Sequence, residues 1–280
     1  MLFSQACKEL EVQLLCKSRK AMKWIGATVV GATLCAHALA VQPEKAKPVD
    51  PPVRDFIRSN YGKWDAHRKG WRADDDNYVY HVCDVSRLTT SDGPRYLLAM
   101  CGDFVDTNDD GTPASASDAT GGQTDLYVLK PESDGAQLGT VIKKTAIGSG
   151  NFGNAAPVTI QQLGPHLYGF VIEDGTVLQG YSETARSIWL PRTTRFVLAA
   201  RRINVSMSNS GTEECGTQSS NCEDMEFSIT PDTTSTTEVY PLKIHETGNK
   251  GDKNIDANYV VRFDPAKETY IVPEAVSEGY

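Results

Sequence analysis

The hydrophobic pattern of the chain changes from helical spacing to short β-type runs near residue 78. Before that point, apolar side chains recur every three or four residues, with Asp50 at the N-cap position and Gly62 as a stop. These apolar positions are Val53, Phe56, Ile57, Tyr61 and Trp64. After it, apolar runs alternate with turn residues such as Glu173-Asp174-Gly175 and Gly248-Asn249. The pattern predicts one amphipathic helix followed by about a dozen short strands.

Short strands that follow one another without intervening helices define the fold class. The candidates are residues 78–82, 96–100, 126–129, 141–146, 158–160, 167–172, 187–190, 195–205, 227–230, 237–244, 259–263 and 270–272. We therefore predict an all-β sandwich or barrel-like domain with one N-terminal helix. A propeller is less favoured because no repeat of about 40 residues is present.

An uncharged apolar run occupies residues 24–40 and ends in Ala38-Leu39-Ala40. The basic residues Lys17, Arg19, Lys20 and Lys23 precede it. This order predicts a secretory signal peptide over residues 1–40, starting at Met1 or at Met22. A transmembrane anchor is the alternative, but 17 residues is short for a span. We expect a periplasmic or secreted chain with no membrane-spanning segment after cleavage.

Three further regions follow the predicted leader. Residues 41–52 carry four prolines and are expected to form a linker. Residues 53–77 hold the helix and a segment rich in aromatic and basic side chains, and residues 78–280 form the β domain. Within that domain, residues 107–122 and 207–221 are predicted to be long surface loops, because Ser, Thr, Gly and acidic residues dominate them.

Composition and charge limit the classes of partner. The chain is 40% hydrophobic and 23% charged, which excludes a disordered or collagen-like protein. Its formal net charge is −8, and removal of residues 1–40 leaves 23 basic against 34 acidic residues, or −11. Such a surface disfavours nucleic acid and anionic membranes.

Cysteine usage agrees with export. Removal of the leader reduces seven cysteines to four, namely Cys83, Cys101, Cys215 and Cys222. Three pairings are possible, and we favour Cys83–Cys101 with Cys215–Cys222 because each pair lies within one local stretch. Zinc is the alternative for four cysteines, but no pair has the two-residue spacing of a zinc ribbon or finger.

An acidic segment resembles the start of a calcium-binding loop. Asp106, Asn108 and Asp110 occupy its first, third and fifth positions, and a glycine follows at the sixth. The twelfth position is serine, and Asp118 comes one residue late. Calcium is the single cofactor that the sequence suggests, and an acidic loop without metal is the alternative. The G-x-G-x-x-G match at residues 148–153 predicts no dinucleotide site, because β-type residues follow it.

Aromatic and basic residues alternate between the helix and the first long strand. Among these we select Trp64, Trp71, Arg68 and Arg72 as candidate binding residues, because indole rings and guanidinium groups together hold glycans or anionic polymers. The basic side chains of residues 53–72 are Arg54, Arg58, Lys63, Arg68, Lys69 and Arg72. We favour the other interpretation of this segment, in which the aromatic side chains anchor the helix to the β core and the basic residues pair with its acidic surface.

One stretch is similar to a loose family of uncharacterised exported proteins of proteobacteria. The similarity rests on residues 163–170 (LGPHLYGF), on Gln179-Gly180-Tyr181 and on residues 209–215 (NSGTEEC), and it covers roughly residues 124–272. It implies export and a β-rich domain, and it implies no reaction.

No catalytic residues are predicted. His67, His81, His166 and His245 match no zinc-protease pattern, and no serine lies in a G-x-S-x-G elbow. His81, beside Cys83 in a β run, is expected to be a packed or half-buried histidine. We predict a non-enzymatic binding or inhibitor module for an envelope glycan or a protein, with the acidic surface suited to a basic partner. An envelope hydrolase using Asp or Glu carboxylates is the alternative.

Overall fold

Two antiparallel sheets, each a simple meander along the chain, make up most of the protein. The computed structural model describes residues 49–73, 77–105, 117, 119–133, 135, 137–217 and 219–280. The first sheet has the strand order β1-β2-β3-β4-β5-β6, and the second runs from β7 to β13 in the same sequential manner. The prediction of an all-β sandwich or barrel-like fold with an N-terminal helix is confirmed.

Fifteen strands are present in the described part of the chain. Those of the first sheet are β1 (Lys63–Asp65), β2 (Gly70–Arg72), β3 (Tyr78–Thr90), β4 (Gly93–Phe104), β5 (Gly122–Pro131) and β6 (Leu138–Ser149). Those of the second are β7 (Val158–Gln162), β8 (Tyr168–Leu178), β9 (Tyr181–Pro191), β10 (Phe196–Ser208), β11 (Glu223–Pro231), β12 (Leu242–Lys250) and β13 (Lys253–Val261). A C-terminal pair consists of β14 (Phe263–Asp264) and β15 (Thr269–Tyr270).

The N-terminal helix, α1 (Pro51–Tyr61), covers the outer face of the first sheet. Two prolines in its first turn preset the helical φ angle, and Val53, Ile57 and Tyr61 recur at four-residue intervals on its buried side. Gly62 ends the helix at a φ of +83°, and a Cβ there would lie 2.5 Å from the carbonyl oxygen of Arg72. Only glycine fits this turn and this close approach.

The space between the two sheets holds a second part of the core. On β4, Leu97, Ala99 and Cys101 point inward, whereas Leu98 and Met100 point toward α1. This is the two-residue alternation of a strand that is buried on both faces. From the second sheet, buried aromatic and aliphatic side chains of β7, β8 and β10 complete the layer. A hydrogen bond of 2.8 Å from the Ile160 N–H to Asp84 Oδ2 also links the two sheets.

The other face of the second sheet is covered by the C-terminal segment. Val171 of β8 faces this side, while its neighbours Phe170 and Ile172 face the first sheet. Tyr270 of β15 and Val276 of a short 3-10 helix (Glu274–Val276) are buried against it. The chain therefore stacks a helix, two sheets and a C-terminal cover.

Several elements differ from the sequence prediction. The helix begins at Pro51, so residues 51–52 lie in it rather than in the linker, and β1 and β2 join residues 53–77 to the first sheet. Glu173-Asp174-Gly175 lies inside β8, because the turn comes later at Gln179–Gly180. Gly248-Asn249 likewise lies inside β12.

The two predicted loops have different outcomes. Residues 207–221 are not a plain loop, since they contain a short helix, α2 (Glu213–Thr217), and a 3-10 turn (Ser219–Asn221). The Asn209 side chain fixes this segment: its amide donates to the Asn221 carbonyl at 2.8 Å and its oxygen accepts from the Glu223 N–H at 2.7 Å. Most of residues 107–122 lies outside the described residues, and β5 begins at Gly122.

Both favoured cysteine pairs lie at disulfide distance. Cys83 and Cys101 join the adjacent strands β3 and β4, with Cα atoms 5.7 Å apart. Cys215 and Cys222 close the α2 segment, with Cα atoms 4.6 Å apart. Within the described ranges of the chain, no helix combines the length and apolar character needed to cross a bilayer.

Candidate binding groove

The hairpin of β1 and β2 places two tryptophans in contact with each other beside the N-terminal helix. Trp64 and Trp71 are direct partners in the ladder, and their ring centroids lie 4.6 Å apart at an interplanar angle of 73°. Such edge-to-face pairs stabilise a short hairpin. Trp64 nevertheless leaves 51% of its surface exposed, whereas Trp71 packs against the α1 core cluster. Trp71 is thus anchored against the core, and Trp64 is open to solvent.

Local hydrogen bonds fix the shape of this hairpin. The Asp65 Oδ1 atom accepts from the backbone N–H groups of His67 at 2.8 Å and Arg68 at 3.0 Å, as in an Asx turn. These contacts, with that from Arg68 the larger, lower the pKa of the Asp65 carboxyl. Gly70 lets β2 approach β3, because a Cβ there would lie 2.7 Å from the carbonyl oxygen of Tyr80.

The exposed face of the tryptophan pair opens into a groove between the hairpin and α1. The groove has a volume of about 670 Å³. We call it the Trp64 groove, and its lining residues are Val49, Arg54, Asp55, Arg58, Lys63, Trp64 and Trp71. The lining thus includes three cations, one carboxylate and two indole rings. Within the described part of the chain, none of these three cations is within ion-pair distance of a carboxylate.

The structure brings together half of the four predicted binding residues. Trp64 and Trp71 line the groove, but Arg68 and Arg72 do not. Arg68 turns back toward the sheet, where its Nη1 atom donates to the Val105 carbonyl at 3.4 Å. The cations of the groove come instead from the exposed side of α1 and from β1.

The anchoring interpretation of the aromatic residues holds for most of them. Phe56, Tyr61 and Tyr80 are buried in the cluster that joins α1 to the first sheet. Trp64 is the exception, since half of its surface is open to solvent. The sequence could have indicated the cations of α1, because Arg54 and Arg58 are four residues apart and alternate with the apolar positions.

A buried polar cluster holds the helix that carries these cations. The Tyr61 hydroxyl lies 2.6 Å from Asp125 Oδ2 and 2.8 Å from the Tyr127 hydroxyl. One hydroxyl carries one proton, so Tyr61 donates to the carboxylate and accepts from Tyr127. Asp125 Oδ1 accepts from the Ala146 N–H at 2.7 Å. Burial, followed by the charge of Asp125, raises the pKa of Tyr61 far above its usual value, and burial raises the pKa of Tyr127.

Away from the Trp64 groove, two adjoining cavities of about 570 and 450 Å³ lie along β8 and β9. They carry the carboxylates that a hydrolase would need, but each carboxylate has a structural partner. Glu173 accepts from Arg186 Nε at 3.0 Å, and Glu183 accepts from Arg202 Nη2 at 2.6 Å. Asp174 Oδ1 accepts from the Gly150 N–H at 3.0 Å. These contacts link β8 to β9, β9 to β10, and β8 to the loop before β7.

The predicted calcium ligands Asp106, Asn108, Asp110 and Asp118 all lie outside the described residues. Calcium binding at this segment therefore stays a prediction.

Comparisons with protein-family models, with curated proteins and with solved structures gave no significant match. The similarity to an exported proteobacterial family thus stays a prediction.

Proposed function

We propose that the protein is an exported, non-enzymatic binding module whose Trp64 groove holds an anionic glycan of the cell envelope. The observation that carries the proposal is the half-exposed Trp64 ring among the cations Arg54, Arg58 and Lys63. An indole ring offers an apolar face for a sugar ring, and the cations offer charge-assisted hydrogen bonds to its carboxylates.

The charge distribution limits the classes of ligand that the groove can bind. The predicted mature chain carries a net charge of −11, so a long polyanion is repelled by most of the surface. The groove concentrates positive charge locally and accepts a short anionic glycan. The net charge of the chain alone suggests a basic protein partner, but the positive charge of the groove favours a glycan with carboxylates.

Export is the second part of the proposal. Two cysteine pairs at disulfide distance are typical of oxidising compartments. The apolar run at residues 24–40, with its basic flank, supports a cleaved leader and a periplasmic or secreted location. The structural hydrogen bonds of Glu173, Asp174 and Glu183 favour binding over the hydrolase alternative.

Titration calorimetry with a hexagalacturonate probe tests the binding proposal. We expect Trp64→Ala to weaken binding about tenfold, because loss of a stacked aromatic contact costs roughly 1.4 kcal/mol. The double variant Arg54→Ala/Arg58→Ala is expected to abolish measurable binding, and added salt is expected to weaken binding by the wild type. Phe152→Ala is the matched control, because Phe152 is an aromatic residue of similar exposure, 54%, outside the groove.

Cellohexaose, a neutral hexasaccharide, separates charge recognition from stacking. Equal affinity for the two hexasaccharides, unchanged binding by Trp64→Ala, or absence of binding to both probes would contradict the proposal. Thermal unfolding of each variant shows whether loss of binding comes from loss of the fold.

A further inference from the structure

Four chemically reactive side chains share the inner face of the first sheet. His81 and Cys83 lie two residues apart on β3, and Cys101 and Asp103 lie two residues apart on β4. His81 is the direct ladder partner of Cys101. A bulge between Val82 and Asp84 falls at Cys83. The hairpin thus places one imidazole and two sulfur atoms together, although the sequence spacing resembles no zinc motif.

The distances suit metal coordination. His81 Nε2 lies 3.9 Å from Cys83 Sγ, and the ligand atoms of His81, Cys83 and Cys101 all lie within 4.8 Å of one another. Zinc takes Cys sulfur at about 2.3 Å and His nitrogen at about 2.0–2.1 Å, so its ligand atoms are separated by less than about 4 Å. Cys83 and Cys101 form a disulfide in the structure, so the S–S bond must open before the two sulfur atoms can separate to this spacing and share one ion with Nε2.

A carboxylate orients the histidine. His81 Nδ1 lies 3.5 Å from Asp103 Oδ2, and Asp103 Oδ1 accepts from the Ala155 N–H at 3.0 Å. A proton on Nδ1 directs the lone pair of Nε2 toward the sulfur atoms, which is the arrangement found behind many metal-binding histidines. Asp103 is therefore a positioning residue for His81.

One side of the cluster is closed and the other is open. Cys101 has 1% of its surface exposed, whereas the His81 side chain is 45% exposed. The ladder between β3 and β4 extends from the Tyr78–Phe104 pair to the Thr90–Gly93 pair, on both sides of the cysteines. The backbone therefore keeps the three ligands together when the disulfide is open.

We propose that the dithiol form of the Cys83–Cys101 pair, with His81, binds one borderline-soft divalent ion of the zinc class. A thiol or phosphine reductant supplies the two electrons and is itself oxidised, and the disulfide takes up two protons to give two thiols. Binding of the ion then releases these two protons, because both sulfur atoms coordinate as thiolates. The open side leaves a fourth position for water or an exogenous ligand.

Zinc titration of the full chain tests this proposal, with the phosphine-reduced protein kept anaerobic and a chromophoric chelator as competitor. We expect one Zn²⁺ per reduced chain and none for the oxidised chain. His81→Ala and Asp103→Asn are each expected to lower the affinity at least tenfold. Cys215→Ser/Cys222→Ser is the matched control and should keep wild-type affinity, because within the described part of the chain only the His81 cluster groups three such ligands.

Substitution of zinc by Co²⁺ gives a readout that is independent of affinity. We expect a thiolate-to-cobalt charge-transfer band in the reduced wild type and its loss in Cys83→Ser. The proposal is overturned if the reduced wild type binds no zinc, if it unfolds on reduction, or if His81→Ala binds zinc as tightly as the wild type.

Discussion

Replacement of Asp125 by alanine is expected to lower the free energy of unfolding by about 2–3 kcal/mol, because the buried Tyr61 hydroxyl and the Ala146 N–H then lose their acceptor. Asp125 is 5% exposed, and its Oδ2 atom accepts a hydrogen bond from the Tyr61 hydroxyl at 2.6 Å. Tyr61 is the last residue of α1, so the same variant loosens the helix that carries Arg54 and Arg58. Urea unfolding measures the first effect, and hexagalacturonate titration measures the second.

Asp224→Ala provides the matched control for this variant. Asp224 is also an aspartate in a strand, but it is exposed, so its replacement should change stability by less than about 0.5 kcal/mol. An Asp125→Ala protein as stable as Asp224→Ala would show that the buried cluster does not hold the helix.

Stability is also expected to fall steeply above pH 10. Burial raises the pKa of Tyr61, Tyr127 and Tyr270 in the folded state. Below pH 10 these phenols are neutral in both states, and their contribution to stability is fully present. Above pH 10 the unfolded chain loses protons that the folded chain keeps, so each phenol lowers the unfolding free energy by up to about 1.4 kcal/mol per pH unit.

Urea unfolding between pH 8 and pH 11 measures this slope. Tyr61→Phe should be less stable than the wild type at pH 8, and its slope above pH 10 should be smaller by the contribution of one phenol. A wild-type stability that stays constant from pH 9 to pH 11 would contradict the burial of these tyrosines.

Much of the fold could be predicted because strand and helix periods differ. Apolar runs separated by turn residues indicated an all-β domain, and the spacing of Val53, Ile57 and Tyr61 indicated the helix. The pairing of Cys83 with Cys101 followed from proximity in the chain, and the β3–β4 hairpin provides its physical basis.

Turn positions were harder to predict because glycine has two roles. Gly175 and Gly248 lie inside strands, although their neighbours resemble turn sequences. Gly248 has a φ of +138°, and a Cβ there would clash with the Asp224 carbonyl oxygen of β11. Here glycine allows close packing of neighbouring strands rather than a reversal of the chain. Such contacts depend on the tertiary structure and leave no local signal.

The candidate groove was half predicted for a related reason. Sequence analysis recognised Trp64 and Trp71, but it chose Arg68 and Arg72 as the cations that accompany them. The hairpin turns Arg68 toward the Val105 carbonyl, and the helix supplies Arg54 and Arg58 from the other side. The contact between α1 and the β1–β2 hairpin forms only in the folded chain.

The segments that are similar to an exported family have structural roles in this fold. Leu163 and Phe170 are fully buried around the β7–β8 connection. Asn209 bridges the two ends of the α2 segment through its side-chain amide. These residues stabilise the fold of this chain, and none of them lines the Trp64 groove.

The central claim is that the Trp64 groove binds an anionic glycan. The most direct test is a nuclear magnetic resonance titration of the mature chain with hexagalacturonate, followed through the indole N–H signals. The chain has four tryptophans, and removal of the predicted leader leaves Trp64, Trp71 and Trp189. Trp64 and Trp71 line the groove between α1 and the β1–β2 hairpin, whereas Trp189 lines the cavity along β8 and β9. We predict that the Trp64 and Trp71 signals shift and the Trp189 signal stays in place. A shift confined to Trp189, or no shift at saturating probe, would contradict the account.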